Sequence, residues 1–75
     1  MKVLFVDILT EKDDPNETTA CRVGVQVEHN GQRMSFVCDA SNEEAQATDY
    51  VDKKIGAATV AVKKCIQAAL DACAS

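Results

Sequence analysis

Four cysteines and a single histidine are the side chains best equipped for chemistry in this 75-residue sequence. A thiol becomes a nucleophile when a base draws off its proton, and a metal ligand when other donors converge on it. Cys21, Cys38, Cys65 and Cys73 contain no Cys-x-x-Cys pair, so a zinc knuckle is not indicated. His29 stands beside an Asn-Gly turn, which carries Cys38 down the facing strand to about 20 Å away and rules out a Cys-His dyad within one hairpin. The sequence therefore predicts four reduced thiols acting as small hydrophobes; a Cys21 to Cys38 bridge or a metal cluster is the alternative.

The remaining candidates are weaker. Asp7 interrupts an apolar run, where a carboxylate could have a raised pKa and act as a base. On a solvent face it is a guard against strand aggregation, and that is the expectation. Thr10 to Thr19 gathers Glu11, Asp13, Asp14 and Glu17 beside the only proline, but lacks the spacing of a calcium loop and reads as a solvated acidic loop. No Gly-x-Ser-x-Gly elbow or glycine-rich phosphate loop is present. The expectation is no catalytic residue, no metal and no cofactor.

Twelve acidic against eight basic residues give a net charge of −4, which opposes binding to polyanions. Met1 to Leu9 is too short to span a bilayer and lacks a cleavage site, so a cytoplasmic protein without membrane contact is expected. At this length a single domain, residues 1–75, sits near the lower limit of independent stability.

The element pattern is clearer than the chemistry. Asn30-Gly31 favours a type I′ turn, and folding there sets Val27 against Met34, Val25 against Phe36 and Val23 against Cys38. The other face then pairs Glu28 with Arg33 and Arg22 with Asp39. Apolar meets apolar and each charge meets its opposite, which defines strands over Ala20 to His29 and Gln32 to Asp39. Lys2 to Leu9, rich in β-branched and aromatic residues, is the first strand. Its alternation puts Leu4, Val6 and Ile8 on one face, and Val3, Phe5, Asp7 and Leu9 on the other.

Ser41 and Glu44 form a capping box, so a helix should start near Asn42. An unbroken helix to the end of the chain would reach about 48 Å while the strands reach about 27 Å. The mismatch predicts either an overhang or a break, near Thr48-Asp49 or at Gly56, with the principal helix over Asp49 to Cys73. Its periodicity turns Val51, Ile55, Ala58, Val62, Cys65, Ala69 and Cys73 toward the sheet. The fold expected is α+β: a two-layer sandwich with a three-stranded antiparallel sheet in β-β-β-α order and a long C-terminal helix packed on one face.

That architecture leaves apolar surface over. An edge strand apolar on both faces is an invitation to pair, so Val3, Phe5 and Leu9 are the expected interface of a homodimer, with Tyr50, Ala61 and Ala68 as a second patch. The function expected is a small non-catalytic module for protein interaction or self-assembly. One alternative is duplex RNA binding through Lys53, Lys63 and Lys64. The strand-strand-strand-helix order is similar to the later part of the double-stranded RNA-binding fold, an analogy of architecture rather than a family resemblance. A further alternative is an enzyme subunit whose site forms only in the oligomer.

Overall fold

A computed structural model describes residues 1–11 and 19–74 of the chain. Strand β1 spans Lys2–Glu11, β2 Thr19–His29 and β3 Gln32–Ser41, followed by a short helix α1 over Asn42–Gln46 and a long helix α2 over Lys53–Ala74. The sheet is antiparallel in the order β1-β2-β3, with β2 central. This is the expected α+β architecture. The acidic segment proves shorter than anticipated, because β1 runs on to Glu11 and β2 begins at Thr19; residues 12–18 of it lie outside the described residues.

The hairpin has the register that its turn chemistry dictates. Asn30 and Gly31 adopt φ of 52° and 80°, the double left-handed conformation of a type I′ turn. Val23 faces Cys38, Val25 faces Phe36 and Val27 faces Met34. On the opposite face Arg22 Nε donates to Asp39 Oδ1 at 2.7 Å and its Nη2 donates to Oδ2 at 3.1 Å. This two-pronged pairing holds the guanidinium more firmly protonated than usual.

Of the overhang and the break that the length mismatch allowed, the helical half shows a break. Ser41 caps α1, its Oγ accepting from Glu44 N at 3.0 Å while Glu44 Oε1 accepts from Ser41 N at 3.1 Å. The chain leaves α1 at Ala47, and Thr48 Oγ1 donates back to Ala45 O at 2.9 Å. Asp52 Oδ1 then accepts from Lys54 N at 2.9 Å, closing the first turn of α2. The break at Thr48-Asp49 is therefore the one realised, and the principal helix starts at Lys53 rather than Asp49. Gly56 is an ordinary member of α2, placed where the Thr48 side chain crosses the helix.

The helix face needs correcting too. α2 turns Ala57, Ala61, Cys65 and Ala69 to the sheet, all at 1% exposure or less. Val51 precedes the helix and is wholly exposed, and Ile55 is 52% exposed. The cause is steric. Val23, Val25 and Val27 fill the space above the central strand, so the helix approaches closest along its small residues. Ala61, expected in a second interface patch, is consequently part of the protein's own core.

Cys21, Ala40 and Ala45 complete that core, and no described polar or charged residue is buried. No leucine or isoleucine belongs to it. The larger aliphatic side chains lie around its margins instead.

Candidate assembly surface

Among the described residues, β1 is the element left least covered. Helix α2 packs over β2 and β3. Lys64 identifies the flank toward β3, since its Nζ donates to Asp39 O at 3.0 Å and to Glu44 Oε1 at 2.6 Å. On the opposite flank, toward β1, Ile55, Ala58, Thr59, Val62 and Lys63 line an open hollow of about 460 Å³. The helical roof is thus set off-centre by about half a strand spacing, toward β3.

Two irregularities in β1 redistribute its side chains. The pairing with β2 shifts between Val3 and Phe5 and again between Ile8 and Thr10, each shift inserting one residue. Val3 consequently pairs with Val27 and shares the roofed face with Val6 and Ile8, which pair with Val25 and Val23. Phe5 and Asp7 pair with Gln26 and Gly24 on the outer face. Leu9 joins them there, its Cδ1 lying 3.3 Å from where a Cβ on Gly24 would stand. Strict alternation had put Val3 with Phe5; a bulge leaves no mark in the periodicity that would reveal it.

The result is a strand exposed on both faces. Val3, Phe5, Val6, Ile8 and Leu9 are between 42% and 56% exposed, and among the described residues β1 pairs along one edge, with β2. Three of these residues are the interface expected from sequence, while Val6 and Ile8 belong to the face that the alternation sets opposite Phe5 and Leu9. The signal missed was the width of the roof: one helix cannot cover three strands when its closest approach is centred between two of them.

The second expected patch does not come together. Ala61 is buried. Ala68, one turn after Lys64, lies on the β3 flank away from β1, and Tyr50 is 47% exposed between the helices. The lysines are likewise dispersed in role: Lys53 Nζ donates to Thr48 O at 2.8 Å across the helix break, and Lys64 is held by Asp39 and Glu44. Lys63 lies beside the apolar hollow.

His29 sits at the hairpin end opposite Gln32, and Asp7 is exposed. No disulfide joins any of the four cysteines, and Cys21 faces Ala40 across the strand pair rather than Cys38. Among the described residues no group of three potential metal ligands converges, and no helix is long and apolar enough to cross a membrane. No protein-family model, curated protein or solved structure matches the chain.

Proposed function

We propose that this chain is a non-catalytic self-assembly module whose β1 pairs with β1 of a second copy, making a continuous six-stranded sheet. The exposure of β1 on both faces and along one edge carries the reading. A long apolar edge strand is a standing template for pairing, and an antiparallel match with its own copy across a two-fold axis closes the assembly at a dimer. A larger protein for the dimer to recruit is compatible with this role.

The geometry also limits the contact. With strands about 4.8 Å apart and each α2 above its own β2 and β3, the helix axes in such a dimer stand about 19 Å apart, well beyond the 8–10 Å of packed helices. Tyr50 and Ala68 therefore stay outside the interface.

Sedimentation equilibrium tests the proposal. The wild-type chain should show dimer at micromolar concentration. Phe5→Asp and Ile8→Asp should each weaken association by at least about 30-fold while keeping the wild-type circular dichroism. Tyr50→Ala should change nothing. A wild-type chain that stays monomeric at high micromolar concentration overturns the reading. Duplex RNA retarded at low salt, and released by Lys63→Glu, would favour the nucleic-acid alternative instead.

A further inference from the structure

Cys65 is the one buried group on α2 that reaches for hydrogen bonds beyond its own helix. Its thiol lies 3.8 Å from Val23 O and 3.7 Å from Phe36 O, between the central strand and β3. Val23 is the cross-strand partner of Cys38, and Phe36 stands two residues before Cys38 on the same face. Cys38 therefore stands on the face of β3 that packs against α2, beside the two carbonyls that the Cys65 thiol reaches. Next to this pair, Lys64 Nζ donates to Asp39 O, so adjacent residues on α2 and β3 are tied independently of the sulfurs.

We propose that Cys38 and Cys65 form an oxidation site that takes a low-molecular-weight disulfide, such as glutathione disulfide, as its co-substrate and closes an intramolecular bond stapling α2 to β3. The inference does not depend on dimerisation.

The two thiols have unequal roles. Cys65 is fully buried, and burial, followed by the neighbouring Cys38, pushes its pKa up to about 11. It is therefore the poorer group for the first attack on an external disulfide at neutral pH, and takes the second, intramolecular one. Cys38 is half-buried on an edge strand, where a small disulfide can approach. The Cys38 thiolate attacks one sulfur of the external disulfide, forming a mixed disulfide and releasing one small thiolate. Cys65 then gives up its proton and attacks the Cys38 sulfur, and the second small thiolate leaves. Two protein thiols lose two electrons, the external disulfide gains them, and the two protein protons end on the released thiols. Closure to the S–S length of about 2.05 Å needs side-chain adjustment of two residues on facing elements.

Mass spectrometry of the full chain after incubation with glutathione disulfide, with free thiols alkylated before digestion, tests this. The expected product has lost two hydrogens and yields a peptide linking Cys38 to Cys65. It should melt about 10 °C higher than the reduced chain and revert with dithiothreitol. Cys65→Ala should stop at a glutathionyl adduct on Cys38, and Cys38→Ser should form no intramolecular link. Linkage through Cys21 or Cys73, linkage between two chains, or retention of four alkylatable thiols overturns the proposal.

Discussion

Ser41 and Glu44 hold more than a helix end. Glu44 Oε1 accepts from both Ser41 N and Lys64 Nζ, so one carboxylate joins the cap of α1 to the middle of α2. Ser41→Ala should destabilise the chain by about 1 kcal/mol, read as a lower urea midpoint. The Lys64 ammonium, and after it the Ser41 N–H, hold the Glu44 carboxyl below the usual carboxylate range. A depressed folded-state pKa stabilises above the ordinary value, and that contribution disappears as pH falls through the folded one. Glu44→Gln should therefore be less stable than wild type at neutral pH, and the difference should close in acid. Urea midpoints for both proteins across that range check it; a difference that widens in acid contradicts the linkage. Both residues were legible in the sequence as a capping box. Their link to Lys64 was not, because a contact between α1 and α2 depends on how the chain turns between them.

At the scale of elements, the turns and breaks are where sequence was most informative. Asn30-Gly31 fixed the hairpin register through its positive φ values, and the excess length of the helical half pointed to an overhang or a break, of which the break is realised. The rotation of α2 was harder to read. Helical periodicity weights large apolar residues, whereas the valines beneath α2 admit only small ones. Ala61→Leu should cost about 3 kcal/mol in denaturant unfolding by forcing α2 off the sheet. Gly56→Ala provides a second test. Alanine improves helix propensity by about 1 kcal/mol, but its Cβ would run into the Thr48 side chain, whose hydroxyl is bound to Ala45 O. The collision should win, leaving Gly56→Ala less stable by about 1 kcal/mol, and Thr48→Ala in the same chain should recover part of the loss.

For the whole molecule, the Cα envelope of 41 × 21 × 18 Å is a slab with room for one sheet and one helix. A slab this thin has little interior, and here the interior belongs to valine, alanine and cysteine. The proposed homodimer should thus be more than an association: raising protein concentration should raise the melting temperature, and Phe5→Asp should abolish that dependence. Sequence revealed that β1 was too apolar for an edge, because composition and position conflict in plain view. It could not show which side chains point where, since bulges and an off-centre roof are properties of the assembled backbone. The inversion of large outside and small inside has a further result for how the chain tolerates change. In most small proteins, trimming a leucine or isoleucine is among the most damaging substitutions. Here a saturation scan should find Ile8, Leu9, Ile55 and Leu70 permissive to alanine in folding assays, while enlarging Ala57, Ala61 or Ala69 by a few atoms is forbidden. Selection acting on those outer aliphatics would then be recording the molecule's company and not its fold.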